Sequence, residues 1–456
     1  MSGRKIVCLG GGSLYFRRAL PDLLISPDLA GSEIVLYDID EEKVQMMAQM
    51  GSRLAERAGT GLKVRSTVDL TDAVDGADFA LSSIGGSGAE ITRNVYDSNF
   101  HNADIRIPAK YGITQVIGDT CGPAGMMMAL RSIPAYIHIC REMEKRCPNV
   151  ILFNHSNPMA VLCRAMHKHT DINVIGICHG VQEGLAYAAE ILEIPVADLS
   201  CDWIGTNHYF WFTRVMNKTI DVYPELMQRV ANRRAPEGRQ LSASLSQIYG
   251  HHIVYPSDDH IVEFYPFLTQ TSGDTHSLPY GMTESLKHHD YDPSKPPPST
   301  EPPGPEVKAS FFESYKKLLD GVELPEKPDD SITGEGLASL IGDIVHGRRR
   351  VHIVNVANQG AIPNLPPTAE VELEGVTDWS GVRPIQTGDA PPILKGILEK
   401  RFVWHELVAD AAVTGDRGLA LQALMVDEMS ILPEKAEAML EKLLLASRDL
   451  LPKFFE

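Results

Sequence analysis

The chain has no Cys-x-x-Cys pair. Its seven cysteines (Cys8, Cys121, Cys140, Cys147, Cys163, Cys178 and Cys201) are an odd number, all within the first 201 residues. That distribution argues against a disulfide scaffold and against a structural zinc cluster. No run of roughly 18 apolar residues occurs, so no segment is expected to span a membrane. Positive charge is also short: 42 lysines and arginines face 60 acids, a formal net charge of -18. Proteins that bind nucleic acid or an anionic membrane need a basic face, so neither partner is expected. A small neutral or weakly anionic ligand stays open, because one local arginine overrides a global field. The start, MSGRKIVCLGGGS, has no charged region, apolar core and cleavage site in succession. No signal peptide is read there, and a reducing cytoplasm is the expected compartment.

What the chain does have is a globular balance of 43% hydrophobic and 22% charged residues over 456 positions. At about 150 residues per domain this suggests two or three domains, or one large α/β body. Lys5–Leu9 is a short apolar run, the mark of a strand buried on both faces. Gly10, Gly11 and Gly12 follow at once, and Ser13 is placed to cap a helix that buries Leu20, Leu23 and Leu24, with Pro21 as a kink or late start. Glu33–Tyr37 reads as a second strand ending at Asp38, 41–58 as a helix, and Phe79–Ile84 as a third strand. Strand, helix, strand, helix, strand is the doubly wound unit. Further on, Gly125–Met143 suits a helix interrupted at Pro134. Val150–Asn154, Val174–Cys178 and Arg350–Val356 suit strands. The stretch 270–307, rich in proline, glycine and serine, reads as a surface loop. Residues 308–320, 333–346 and most of 401–447 read as helical.

Three groups of residues carry chemistry. In a dinucleotide fold, glycines after the first strand let the backbone approach a pyrophosphate, and an acid ending the second strand takes the ribose hydroxyls. Gly10, Gly12 and Asp38 stand at those positions, although Tyr15 replaces the third glycine of the pattern. An ordinary tight turn is the other reading. Asp38 would repel a 2′-phosphate and so favours NAD over NADP. The second group leaves the strand ends: Asn154 and Asn157, then Cys178 and His179, with Gly205-Thr206-Asn207-His208 later. Cysteine and histidine there can share a divalent metal, but a buried cysteine is often only a small hydrophobe. The third group is Ser257-Asp258-Asp259-His260, with Glu263 close behind. Those acids suit acid–base work, but on local grounds the first turn of a helix is the readier account of them.

Taken together, the chain resembles glycoside hydrolase family 4, the NAD- and divalent-metal-dependent glycosidases. The resemblance rests on Gly10-Gly11-Gly12-Ser13, Asn154-x-x-Asn157-Pro158, Cys178-His179-Gly180 and Gly205-x-Asn207-His208-x-x-Trp211. It also rests on Asn355-Val356-x-Asn358-x-Gly360-Ala361-Ile362-Pro363-Asn364-Leu365-Pro366 and Ala411-Ala412-Val413-Thr414-Gly415-Asp416. It implies an α/β fold, with an N-terminal Rossmann domain of the lactate/malate dehydrogenase-like superfamily over 1–200. A second α/β domain over 201–456 would serve substrate, metal and oligomerisation, in a homodimer or homotetramer. It implies NAD+ on Gly10, Gly12, Ser13, Asp38 and Asn154, and a metal on Cys178 and His208. That metal would be Mn2+, or else Co2+, Fe2+ or Ni2+. Asn154, Asn157, Asp119 and His260 would meet a glycoside substrate. Asp119 occupies a place where many members carry glutamate.

The chemistry so implied is oxidation at C3 of the sugar, deprotonation at C2, elimination at C1, water addition and return of the hydride. The two-carboxylate mechanism of ordinary glycosidases does not apply to this family. In phospho-sugar members the C2 base is a tyrosine, and the matching region here is Tyr255-Pro256-Ser257-Asp258-Asp259-His260. Asp258 is the expected base, with Asp259 next, and His179 the expected proton donor to the leaving oxygen. Histidine after the metal cysteine points to a non-phosphorylated sugar: an α-galacturonide or α-glucuronide first, a neutral α-galactoside or α-glucoside second. A malate-type dehydrogenase and a non-catalytic nucleotide-binding regulator are the competing classes.

Overall fold

The computed structural model describes residues 3–456 except 89–91, 93–95, 97, 233–234, 237, 254, 266–303, 329–335 and 430. Six strands lie parallel: β1 (Lys5–Leu9), β2 (Glu33–Tyr37), β3 (Lys63–Thr67), β4 (Phe79–Ser82), β5 (Ile151–Asn154) and β6 (Asn173–Gly176). Their spatial order, 3-2-1-4-5-6, is that of the dinucleotide-binding fold. The strands read as unbroken apolar runs because helices cover both faces of the sheet. Ile6, Cys8, Ile34, Leu36 and Phe153 pack into one core, while Val7, Leu9, Val35 and Leu152 pack into the other.

Three strands extend this sheet antiparallel beyond β6: β10 (Val351–Ala357), β11 (Glu370–Asp378) and β12 (Gly381–Pro384). Residues beyond 200 thus add strands to the sheet that the first 200 residues begin. β10 pairs with β6 at Asn355 and Gly176, and the helix Pro392–Thr414 packs on Gly122–Arg146 and Met159–His169. A separate antiparallel sheet holds β7 (Leu199–Thr206), β8 (Tyr209–Asn217) and β9 (Ile220–Asp221).

Local signals explain several helix limits. Asp40 accepts the Lys43 amide at the start of Glu41–Ala58, and Gly59 ends it at φ 67°. Three expectations are corrected. Ser13 is not the cap of the first helix; that helix, Phe16–Ile25, starts after Tyr15 and contains Pro21, while Ser13 Oγ accepts the Tyr15 amide. The helix Gly122–Arg146 runs straight through Pro134. Sixteen of its 25 residues are buried, and that burial outweighs the roughly 3 kcal/mol of an interior proline. The expected loop 270–307 falls outside the described residues up to 303, and Pro305 already starts the helix Pro305–Asp320.

Candidate active site

Every parallel strand of the first sheet ends on the same edge, and two cavities open there. The first, of about 700 Å³, is lined by Gly10, Gly12, Ser13, Asp38, Ser83 and Ser156 among others. Gly10 has φ 73°, and a Cβ there would stand 2.3 Å from the Ser83 carbonyl oxygen, so only glycine lets the turn pass this closely under β4. Asp38 Oδ2 accepts the Gly12 amide at 2.9 Å and Oδ1 the Asp40 amide at 3.0 Å. Burial raises the Asp38 carboxyl, with those two amides pulling the other way. Tyr315 comes from the C-terminal half and donates to the Gly12 carbonyl at 2.5 Å, tying the two halves together at this turn.

The second cavity, of about 670 Å³, shares Tyr96, His155 and Asn157 with the first. On its floor, Asp119, His208 and His260 bring one ligand atom each to within 4.8 Å of one another, and all three are buried. Asp119 is the hub. Its Oδ1 lies 3.1 Å from His260 Nε2 and accepts Thr120 Oγ1 at 2.6 Å; its Oδ2 accepts Asn157 Nδ2 at 2.8 Å and Tyr96 OH at 2.6 Å. Burial opposes the Asp119 charge, but the facing His260 and His208 prevail and hold the carboxyl well below the usual range. Burial drives His208 down to about 3 although Asp119 pulls upward, so it presents a neutral imidazole, the form that ligates metals. At His260 the pull of Asp119 exceeds burial and the ring is raised.

His208 sits in the tight β7–β8 connection at φ 60°. Cys178 follows β6, lines the same cavity, and accepts the Gly180 amide at 3.4 Å on Sγ. Its sulfur therefore stands at the N-terminus of the helix Gly180–Leu192, whose dipole favours negative charge there. The Tyr255 ring is 5.3 Å from the His208 ring and 6.1 Å from His179. A Cβ on Gly180 would meet Tyr255 Cε1 at 2.7 Å, so the glycine after Cys178-His179 is what admits this ring. Burial first, then Cys178, raise the Tyr255 phenol above the ordinary tyrosine range.

Cys178, His179, His208, Asn157, Asp119 and His260 thus meet in one cavity. Asp119 and His260, expected at substrate, stand in the potential metal cluster. Three expected residues do not arrive. Asp258 is corrected as a candidate base: its carboxylate is fully buried and caps the helix Gln240–Tyr249, accepting the Leu241 amide at 2.8 Å, the Ser242 amide at 2.9 Å and Ser242 Oγ at 3.0 Å. Asp259 does not line the cavity; it accepts Ser257 Oγ at 2.5 Å. Asn154 lines neither cavity, because its Oδ1 is taken by Ser82 Oγ, Tyr136 OH and the Ser156 amide.

Sequence reasoning missed Glu183 and Arg239 in the cavity wall, and the use of Glu263. The fully buried Glu263 carboxylate accepts the amides of Val116, Ile117 and Gly118 at 2.6 to 3.1 Å. It fastens the loop that carries Asp119 to the segment that carries His260. No local pattern announces this, since the partners are 145 to 147 residues apart.

The model described as family 4 glycosyl hydrolase matches residues 5–194, and that of the family's C-terminal domain matches 203–429. The chain is 28% identical to an alpha-galacturonidase of Lachnoclostridium phytofermentans, over 99% of this chain and 98% of that one. It is 27% identical to an alpha-galactosidase of Bacillus subtilis, over 99% and 100% respectively. Among solved structures it resembles a Thermotoga maritima 6-phospho-beta glucosidase with manganese, NAD+ and glucose-6-phosphate. The TM-score is 0.78 at 22% identity, covering 98% of this chain and 99% of that one. No helix among the described residues is long and apolar enough to cross a membrane.

Proposed function

Because the chain belongs to the family 4 glycosyl hydrolases, we propose that it hydrolyses a non-phosphorylated α-glycoside with NAD+ and a divalent metal. α-Galacturonides or α-glucuronides come first, neutral α-galactosides or α-glucosides second. The observation that carries the reading is the shared wall of the two cavities: a glycine-turn groove ending on Asp38 opens beside a cluster of two imidazoles and a carboxylate.

The residues fit both groups. The backbone approach at Gly10 and the acid at Asp38 suit a dinucleotide without a 2′-phosphate. Asp119, His208 and His260, with the Cys178 thiol on the same cavity, suit manganese, iron, cobalt or nickel. When bound, NAD+ supplies a reversible hydride acceptor at C3, and the metal supplies a Lewis acid for neighbouring sugar oxygens.

The chain's own side chains divide the rest. Asn157 lines both cavities and holds Asp119 Oδ2, so it orients the floor where nucleotide and sugar meet. Tyr255 replaces Asp258 as the group to take the C2 proton. Burial disfavours its ionised phenol, and positive charge held on the Asp119–His208–His260 cluster would favour it. His179, with Nε2 3.4 Å from Glu183, can hold a proton for the departing oxygen. Its imidazole also brings no negative charge toward a carboxylated sugar.

The test is a panel of nitrophenyl α- and β-glycosides, uronic, neutral and 6-phosphorylated, with NAD+, Mn2+ and a thiol reductant. The α-uronide is expected to give the highest kcat/KM. A clear preference for the 6-phospho sugar refutes the reading, and a neutral preference moves the second substrate class to first. Substrate deuterated at C2 should react more slowly, and full activity after removal of all NAD+ would rule out the chemistry.

A further inference from the structure

Among the described residues that line the sugar cavity, Arg239 is the one lysine or arginine, and Glu183 and Asp119 are the carboxylates. We infer that Arg239 reads the acidic group of the sugar, pairing its guanidinium with a carboxylate at C6; this rests on the uronide reading above.

The arginine is held for such a task. It stands immediately before the helix Gln240–Tyr249. Its Nη1 donates to the Pro256 carbonyl at 3.1 Å, and its guanidinium carbon lies 4.8 Å from the centre of the Tyr187 ring. Stacking on an aromatic face fixes the plane of the guanidinium, and a fixed plane is what a two-point carboxylate pair requires. The helix end beside it offers no competing anion site, because Asp258 already takes the Leu241 and Ser242 amides. A planar guanidinium matches the two oxygens of a carboxylate in one plane. Arg239 is also one hydrogen bond from the residue after Tyr255, so a purely positioning role has to be separated from recognition.

The experiment compares wild type, Arg239→Gln and Arg239→Lys, all loaded with NAD+ and Mn2+. The substrates are the nitrophenyl α-galacturonide, α-galactoside and 6-phospho-α-galactoside. Calorimetric binding of free galacturonate and galactose gives a readout that does not depend on turnover. The uronide-to-neutral ratio of kcat/KM should fall about 10- to 100-fold in Arg239→Gln, as expected for a lost charged pair, and recover in part in Arg239→Lys. Galacturonate affinity should fall in step. If wild type prefers the uronide and the ratio moves less than about twofold in both variants, by the scale of the same principle, the inference fails while the substrate reading stands. Equal loss on both substrates would assign Arg239 to holding the Pro256 carbonyl, and would overturn recognition. A wild type that prefers the neutral sugar overturns the inference together with the uronide reading. A phospho preference lost in Arg239→Gln overturns the carboxylate assignment.

Discussion

Gly180→Ala separates packing from catalysis at one atom. The added Cβ would lie 2.7 Å from Tyr255 Cε1, 2.8 Å from Cδ1 and 3.3 Å from Cζ. Carbon atoms settle at about 3.5–4.0 Å, so the ring must withdraw by roughly 0.8 Å or more. Gly180 is the first residue of its helix and has no positive φ, so the backbone itself accepts alanine. Alanine is intrinsically better than glycine in a helix by up to about 1 kcal/mol, while overpacking a filled site costs about 1–3 kcal/mol. The two oppose each other, and the net loss of stability should stay below about 2 kcal/mol. Catalysis has no such offset. A misplacement near 1 Å in a reacting group costs about 100-fold in rate. The variant is therefore expected to melt within a few degrees of wild type and to lose about 100-fold in kcat, with parallel loss of deuterium exchange at C2 of the substrate in D2O. A Gly180→Ala enzyme with kcat within about threefold of wild type, on that same scale, would show that the Tyr255 ring is not the group that takes the proton.

Cys178→Ser and His208→Ala should each abolish activity and lower bound metal while leaving the circular-dichroism spectrum unchanged; full metal occupancy and rate in both would sink the ligand assignment. Glu263→Ala strands the amides of Val116, Ile117 and Gly118 inside the protein. It should cost about 4 kcal/mol in urea unfolding at roughly 1–3 kcal/mol per buried donor with partial rehydration, and a loss under 1 kcal/mol would contradict the count. Burial pushes the Glu372 carboxyl up to about 7 from an ordinary 4.5, against its hydrogen bond from Asn355. The proton on Glu372 therefore adds stability that is full below pH 4.5 and lost as pH rises through about 7. Relative to wild type, Glu372→Gln should gain up to about 3 kcal/mol between pH 4.5 and 8, and parallel stability–pH curves for the two proteins would refute the raised carboxyl.

How much of this was legible in the sequence follows from how local each signal is. β1, β2 and β4 to β6 were readable because burial on both faces leaves unbroken apolar runs, and the site residues at their ends came with them. β3 is an edge strand whose residues are all half-buried or exposed, so its sequence KVRST carries no such run. β11 was missed for the opposite reason: Glu370 and Glu372 are buried acids in a strand, and their charges hide its burial. The interruption expected at Pro134 does not occur in the Gly122–Arg146 helix, because local propensity cannot see tertiary burial.

The site shows the same limit more sharply. Asp258 and Asp119 are both buried aspartates, and sequence alone ranked Asp258 the more catalytic of the two. What separates them is which donors arrive from elsewhere. Asp258 receives two backbone amides and a hydroxyl from a helix that starts 18 residues earlier, and its lone pairs are spent on capping. Asp119 receives His260, Asn157 and Tyr96 from three distant segments, groups that titrate or can exchange partners. An acid next to a histidine in sequence is thus weak evidence of chemistry, whereas an acid on which imidazole, amide and phenol converge from separate segments is strong evidence. In the function proposed above, the proton-transfer role goes to Tyr255 and not to Asp258, because the Tyr255 ring lies 5.3 Å from the His208 ring and 6.1 Å from the His179 ring at the cavity wall.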